Sequence, residues 1–267
     1  MRTKNLLIFA MVFVMLISVF SIQTFAVGET TTVYVTISNG SLMLSQESIT
    51  VTDIDNDGVL TINDALYLAH EKKYDGGVAA GYASAKGQYG LALTKLWGVE
   101  NGGSYGYYVN NVLAMGLTDT VKSGDYINAF VYTDTSMYSD TYCFFDVNNI
   151  SVNEGKELTL TLSAAGFDKN WAPIVIPVAD ATILIDGAES SFKTDVNGKV
   201  TIKIDNAKHS YIISAKSDDS ILVSPVCVAS IIETTPQTGD IDLIIYIIIA
   251  VAALYSALII RPRNKNA

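Results

Sequence analysis

Histidine, cysteine and positive charge are all scarce in this 267-residue sequence. It contains two His and two Cys, with no Cys-x-x-Cys pair and no group of His at metal-binding spacing, so neither a zinc site nor a dithiol redox site is indicated. Lys and Arg number 17 against 27 Asp and Glu, which gives a net charge of −10. Because nucleic acids are polyanions, we expect no nucleic-acid partner.

Groups that could carry out catalysis are equally sparse. The two His are isolated, and outside one acidic loop the sequence offers no paired carboxylates for acid and base catalysis. A Gly-x-Ser-x-Gly pattern at 102–106 matches the hydrolase nucleophile elbow, but that elbow needs a helix after the serine and the pattern continues here as a predicted strand. We therefore expect a protein that is not an enzyme.

The beginning of the chain has the pattern of a secretory signal. Arg2 and Lys4 precede an uncharged apolar run at 6–20, and small residues suited to a signal peptidase follow at 24–26. This predicts a signal peptide over 1–26.

The end of the chain has the pattern of a membrane anchor. An uncharged, almost wholly apolar run at 243–260 predicts a transmembrane helix over 241–260, and the basic residues of 261–267 place the tail in the cytoplasm. Residues 27–239 are then expected at the cell surface, where their 12 basic and 25 acidic residues give a net charge of −13.

A short polar linker predicted over 232–240 contains Thr-Pro-Gln-Thr-Gly at 235–239. Together with the apolar run and basic tail, it resembles the LPXTG-type sorting signal of Gram-positive cell-wall proteins, with Thr in place of Leu. The resemblance implies cleavage between Thr238 and Gly239 and attachment of Thr238 to peptidoglycan. Two alternatives stay open: a single-pass membrane protein that is not cleaved, and a plain linker to an ordinary anchor.

The acidic loop Asp-Ile-Asp-Asn-Asp-Gly-Val-Leu-Thr-Ile-Asn-Asp at 53–64 lies between a predicted strand and a predicted helix. Three alternating aspartates would converge on one point, and Gly58 permits the sharp bend that lets a chain surround an ion. Such crowded carboxylates repel one another unless a hard cation neutralises them. The predicted calcium ligands are Asp53, Asp55, Asp57, the Val59 carbonyl, Thr61 and Asp64.

This loop resembles the dockerin form of the EF-hand, which has Asp rather than Glu at position twelve. Dockerins carry two such repeats. The nearest second candidate here, at 195–198, lacks the third acidic position and is predicted to be a hairpin turn. A second interpretation explains Thr61 and Asp64 as a helix capping box, but it leaves the three earlier aspartates unexplained, so both roles are expected together.

Residues 27–148 are predicted to form an α+β domain of the β-grasp type, with the calcium loop leading into its helix. His70 is expected on the surface of that helix, and the glycine-rich segment that follows is expected to be a loop. The predicted elements are strands at 31–38 and 48–52, a helix at 62–74, a hairpin formed by 94–99 and 105–109, and strands at 126–133 and 141–146.

The motifs Tyr-Gly-Tyr-Tyr-Val-Asn-Asn at 105–111 and Val-Lys-Ser-Gly-Asp-Tyr-Ile at 121–127 resemble the transcobalamin C-terminal-like family, also called DUF4430. The start of the predicted helix at 61–66 is similar to the same family. The resemblance covers about residues 30–148 and implies a β-grasp fold. It also implies corrinoid contact as one use of the fold, although this chain has no helical barrel to hold the other face of a corrinoid. The candidate ligand-binding residues are Trp97, Tyr105, Tyr107 and Tyr108, which are equally well explained as sheet packing.

From residue 149 the pattern changes to short alternating strands with few aromatic residues, which predicts an all-β domain over 149–231. Residues 179–214, with Thr-Asp-Val-Asn-Gly-Lys-Val at 194–200, resemble the Ig-like and carboxypeptidase-regulatory-like modules of bacterial surface proteins, in which this motif forms a hairpin. The resemblance implies a role as a spacer. The predicted strands lie at 158–162, 173–178, 181–185, 199–204, 211–215 and 221–228. Cys143 and Cys227 fall in different predicted domains, and whether they pair is open.

Taken together, these features predict a calcium-binding, non-catalytic surface protein anchored to a Gram-positive envelope, whose first domain serves in binding or adhesion. The alternative is a surface protein that captures a corrinoid, a haem-like molecule or a glycan through the aromatic residues at 97–108. Docking to a cohesin is disfavoured because the second dockerin repeat is missing.

Overall fold

A computed structural model describes residues 30–204 and 210–232 of the chain. The predicted signal peptide, sorting motif with Thr238 and Gly239, transmembrane helix and basic tail lie outside these residues. Within the described part, no helix is both long enough and apolar enough to cross a bilayer. The described chain is mainly β-strand, with only two helices.

The first module is a mixed five-stranded sheet with the order β2-β1-β7-β5-β6, together with two helices and a separate hairpin, β3-β4. The central pair, β1 and β7, is parallel, and the other neighbours are antiparallel. Its elements are β1 (Thr31–Asn39), β2 (Leu42–Val51), α1 (Ile62–Lys73), α2 (Gly77–Gly81), β3 (Ala83–Gly87), β4 (Gly90–Lys95), β5 (Tyr105–Val109), β6 (Val112–Leu113) and β7 (Tyr126–Val131).

One face of this sheet packs against α1. Val33, Val35 and Ile37 alternate along β1 and are fully buried, as period-two patterning requires. On the helix, Ile62 and Leu66 are four residues apart and therefore lie on the same face, where both are fully buried. The predicted helix is confirmed to within one residue.

The predicted hairpin of 94–99 with 105–109 is wrong. Instead, β4 pairs with β3, and β5 pairs with β7 in the main sheet. Gly87 and Gly90, which were predicted to lie in a loop, flank the two-residue turn of the β3-β4 hairpin. Gly90 has a φ of +108°, which residues other than glycine rarely adopt. The aromatic strand β5 thus takes its partner from much further along the chain.

The second module is a two-layered β-sandwich. One layer has the order β11-β10-β8-β16 with β14 also paired to β10, and the other has the order β13-β12-β15-β17-β9. Its elements are β8 (Thr141–Phe145), β9 (Asn149–Asn153), β10 (Glu157–Phe167), β11 (Pro173–Pro177), β12 (Thr182–Ile185), β13 (Ala188–Lys193), β14 (Lys199–Lys203), β15 (Ser210–Lys216), β16 (Leu222–Val223) and β17 (Cys227–Ile232). The all-β prediction is confirmed here, although β9 and β13 were not predicted.

Strand β8 differs from its predicted place in the first domain. It pairs with β10 and β16, so a boundary at 148/149 would separate it from its hydrogen-bonded partners. Cys143 on β8 and Cys227 on β17 consequently belong to one core. Both are buried free thiols, and desolvation raises the pKa of each.

The two modules touch through aromatic and amide side chains. Phe130 of β7 and Tyr142 of β8 share a small buried cluster. The Gln46 side chain on β2 donates to the Asn148 and Val226 carbonyls at 3.1 and 3.2 Å. The first module therefore contacts the second at several points and is not joined to it by a linker alone.

Candidate metal centre

The acidic loop connects the end of β2 to the start of α1, at one edge of the first module. Two of its residues have left-handed backbone angles, Asn56 with φ +59° and Gly58 with φ +86°. These two positions turn the chain back on itself. A Cβ on Gly58 would meet nothing within 4 Å, so the glycine is needed there for its backbone conformation and not for space.

The turn brings three carboxylates together. One oxygen from each of Asp53, Asp55 and Asp57 lies within 4.8 Å of the other two. The Asp53 carboxylate accepts the N–H of Asp57 at 3.2 Å and of Gly58 at 2.8 Å. Asp57 in turn accepts the N–H of Val59 at 2.8 Å. The loop backbone thus orients two of the carboxylates.

The loop shifts the pKa values of Asp53 and Asp55 in opposite directions. The hydrogen bond from Gly58 is the largest effect on Asp53 and lowers its pKa. Desolvation and then the charges of Asp57 and Asp64 raise the pKa of Asp55. A carboxyl group whose neighbours disfavour its charged form is stabilised as an anion by a nearby cation.

Thr61 and Asp64 take the capping role that the sequence also indicated. The Thr61 hydroxyl donates to Asp64 Oδ2 at 2.7 Å and accepts the Asp64 N–H at 3.3 Å, while Asp64 Oδ2 accepts the Thr61 N–H at 2.8 Å. Asp64 is fully buried, and its other oxygen accepts the Ile54 N–H at 3.2 Å. Neither residue belongs to the group of three carboxylates.

A segment that the sequence did not implicate holds the second half of the loop. Residues 117–121 lie beside it and exchange backbone hydrogen bonds with it: Leu60 accepts the Val121 N–H at 2.9 Å, and the Asp119 carbonyl accepts the Ile62 N–H at 3.1 Å. This contact satisfies helix N–H groups that would otherwise lack partners. No local pattern in the sequence could have identified it, because it joins residues almost sixty positions apart.

The four aromatic candidates do not come together in one site. Trp97, Tyr105 and Tyr107 are partly buried against the core beneath α1, whereas Tyr108 packs on the opposite face of β5 with Phe130. The Tyr105 hydroxyl oxygen lies 2.9 and 2.8 Å from the carbonyl oxygens of Thr94 and Val99, either of which can accept its one proton. These contacts favour the packing interpretation of the four residues.

His70 is fully buried, which makes the expectation of a surface residue wrong. Its Nδ1 lies 2.6 Å from the Leu66 carbonyl, and its Nε2 accepts the Trp97 N–H at 3.0 Å. The ring centroids of Tyr82 and Trp97 lie 5.1 and 5.2 Å from that of His70. Desolvation lowers the pKa of His70 to about 4, so this side chain is a neutral structural bridge.

Comparisons with known proteins place the chain in no family. No protein-family model and no curated protein matches it. Solved structures aligned to it include tandem Ig repeats of Dlar, with 12% identity over 57% of this chain and 75% of that one at a TM-score of 0.25. The N-terminal four Ig domains of Dscam1 isoform 6.9 align with 13% identity over 57% of this chain and 36% of that one, with a TM-score of 0.22.

A third neighbour, Sidekick-1 immunoglobulin domains 1–4, aligns with 14% identity over 77% of this chain and 52% of that one, again with a TM-score of 0.22. The chain therefore spans only about half or less of the four-domain structures. At these TM-scores the alignments carry no functional conclusion.

Proposed function

We propose that this protein is a non-catalytic, calcium-binding surface module that acts in binding or adhesion, with the ion stabilising the acidic loop of its first module. The observation that carries the proposal is the convergence of the Asp53, Asp55 and Asp57 carboxylates on one point. Three like charges at this spacing repel one another, and a divalent cation removes that repulsion.

Calcium fits the donor set better than other metals. The donors are all oxygen, in an exposed and irregular loop, and Ca²⁺ accepts six to eight oxygen ligands in flexible geometry, whereas Mg²⁺ demands a near-ideal octahedron. With the three aspartates we assign the Val59 carbonyl and water molecules as ligands. We do not assign Asp64 or Thr61 as ligands. The Asp64 carboxylate accepts the Ile54 N–H, and Thr61 caps the N-terminus of α1.

The arrangement of the first module supports its assignment as a β-grasp domain of the transcobalamin C-terminal-like type. Its parallel pair, β1 and β7, lies inside the sheet, with β2 on one side and β5 and β6 on the other, and α1 packs across one face. The aromatic residues expected to contact a corrinoid are used in packing. We therefore favour a binding or adhesion role over corrinoid or haem capture.

The proposed location is the cell surface, with the body of the chain outside the membrane. This part of the proposal depends on the segments 1–26 and 241–260, the apolar runs that flank the acidic body of the chain. Extracellular modules commonly bind calcium with Kd on the order of 10⁻⁴ to 10⁻³ M, so a weak site suffices there.

The test is thermal unfolding of the full-length protein, purified in detergent, in millimolar calcium and in excess chelator. Calcium should stabilise the first module by about 1 kcal/mol, since an ion that binds only the folded loop adds RT ln(1 + [L]/Kd). Asp55→Asn should abolish the difference. Asp195→Asn is the matched control, because Asp195 also accepts backbone N–H groups in a tight turn but is not part of the group of three carboxylates. An equal response to calcium in both variants would reject the site.

A further inference from the structure

A cavity of about 430 Å³ lies between the two modules, beside the aromatic cluster that joins them. One wall comes from residues 108–115 of the first module, and the other comes from β8, β10 and β11 of the second. Its volume falls within the range of small-molecule sites, which often lie where two domains meet.

The wall from the second module is the outer face of a sandwich layer. Along β10, Leu162 and Ala164 pack in the sandwich core, so the alternation of side chains places Ala165 and Phe167 on the outer face. Phe144 lies between two core residues of β8 and shares that face. Outward-facing positions of a sandwich are ordinarily polar, so this apolar outer face indicates a contact surface.

The first module covers only part of that surface. Tyr108 lies on the face of β5 away from α1 and packs against the aromatic cluster, and Leu113 is its cross-strand partner. Beyond them the lining stays open to solvent, because Leu113 is 45% exposed, Val175 64% and Met115 90%. An apolar cavity therefore continues the interface between the modules and is left unfilled by either one.

The polar groups of the lining are few and uncharged. Among the described residues, no charged side chain lines the cavity, and its polar side chains are those of Asn111 and Tyr108. The Tyr142 hydroxyl donates to Asn111 Oδ1 at 2.9 Å and so orients the amide. Burial raises the pKa of Tyr108. Because a charge placed in such a lining would find no partner, the cavity favours an uncharged ligand.

The composition of the lining favours a planar ring over an aliphatic chain. Aromatic rings of both modules line the cavity, from Tyr108, Phe144 and Phe167. Aromatic pairs in stacked or edge-to-face contact gain free energy beyond that of their buried area. The thioether of Met115 adds a polarizable group that also contacts rings favourably.

We propose that this cavity binds a neutral aromatic molecule of one to three rings, which contacts Phe144, Phe167 and Met115 and whose polar group bonds the Asn111 amide. The ligand contacts both modules. The inference rests on the proposed role of the protein in binding, names the ligand class for it, and does not depend on calcium.

The test is NMR of the full-length protein with labelled methionine methyl groups, in a detergent without aromatic groups, with 2-naphthol as the probe. Met115 lines the cavity, whereas the similarly exposed Met137 does not. The bound ring should shift the Met115 signal alone, with a Kd below about 1 mM, while probe dissolved in micelles affects both signals alike. 2-Naphthalenesulfonate has the same rings and a negative charge, and it should bind about tenfold more weakly.

Val175→Glu places a charge in the lining and should weaken 2-naphthol binding about tenfold. Val196→Glu is the matched control, since Val196 is an exposed valine at a turn outside the cavity. The proposal is overturned if 2-naphthol leaves Met115 unshifted, if the sulfonate binds as tightly, or if the two variants bind equally well.

A Met115 signal that changes with protein concentration in the absence of probe would also overturn the proposal, because a second copy of the chain would then cover the cavity. Repeating the titration in chelator separates these outcomes from a failure of the calcium site, since 2-naphthol binding is expected in both conditions.

Discussion

The ring of Tyr108 lies flat against the ring of Tyr142, with centroids 3.7 Å apart and planes 7° apart. Tyr108 belongs to β5 of the first module and Tyr142 to β8 of the second. The Tyr142 hydroxyl also donates to Asn111 Oδ1 at 2.9 Å. This stack joins the two sheets directly, so we expect the modules to unfold as coupled units.

Replacing Tyr142 with Leu should therefore weaken both modules together. The variant loses the stacked pair and the hydrogen bond to Asn111 in a buried site, which we expect to cost about 3 kcal/mol. Urea unfolding followed by fluorescence measures the loss. Tyr138→Leu, at an exposed tyrosine in contact with Tyr132, should cost far less, and equal losses in the two variants would argue against a structural role for the stack.

The buried His70 should make stability depend on pH. Its pKa of about 4 in the folded protein lies below the ordinary value of 6.5, so between these values the unfolded chain binds a proton that the folded chain does not. The stability that neutral His70 contributes is then fully present above pH 6.5 and is lost as the pH falls toward 4. We expect about 2 kcal/mol less stability at pH 5 than at pH 7.5.

Chemical denaturation in chelator across this pH range measures that slope. His70→Gln should be less stable at pH 7.5 and should lose this contribution to the slope. The same slope in wild type and variant would assign the pH dependence to other groups.

The acidic loop should separate into a part that needs calcium and a part that does not. Asp57→Asn removes a carboxylate from the group of three and should lower stability in calcium but not in chelator. Asp64→Asn weakens the helix cap and the bond to Ile54, so it should cost about 1 kcal/mol in both conditions. Thermal unfolding of both variants with and without calcium distinguishes the roles, and a cost for Asp64→Asn seen in calcium alone would make it a ligand.

Two of the five prolines protect an exposed edge strand. Val178 donates its N–H to the Leu162 carbonyl on β10. Because alternate residues of an antiparallel strand direct their backbone nitrogens toward the same neighbour, the nitrogens of Pro173, Val175 and Pro177 face away from β10. Val175 is then the single N–H donor on that edge of the strand, which hinders pairing with another chain.

The double variant Pro173→Val/Pro177→Val should expose three outward donors on an apolar strand and should self-associate as its concentration rises. Light scattering and thioflavin fluorescence measure this. Pro236→Val, in the predicted linker, is the control. A double variant that stays monomeric would show that the prolines are dispensable for this protection.

Local sequence patterns were sufficient to predict the elements whose hydrogen bonds join residues close together in the sequence. The helix from Ile62 and its capping box at Thr61 and Asp64 follow from residues three and four positions apart, and the structure confirms them. The convergence of the three aspartates is likewise a local consequence of the turn at Gly58.

Contacts between distant residues were not predictable in this way. A glycine-rich segment can form either a loop or a hairpin. Here β5 pairs with β7 in the main sheet, and β4 pairs with β3 instead of with β5. His70 appeared to belong on the surface because its partner Trp97 is twenty-seven residues away. The placement of β8 in the second module was equally undetermined, because an alternating strand fits either sheet.

Equilibrium dialysis of the full-length protein against radioactive calcium at millimolar free ion tests the central claim most directly. The account predicts one calcium bound per chain, with none bound by the Asp53→Asn/Asp55→Asn/Asp57→Asn variant and one still bound by Asp195→Asn. Wild-type protein that binds no calcium at this concentration, or a triple variant that binds as much as the wild type, would contradict it.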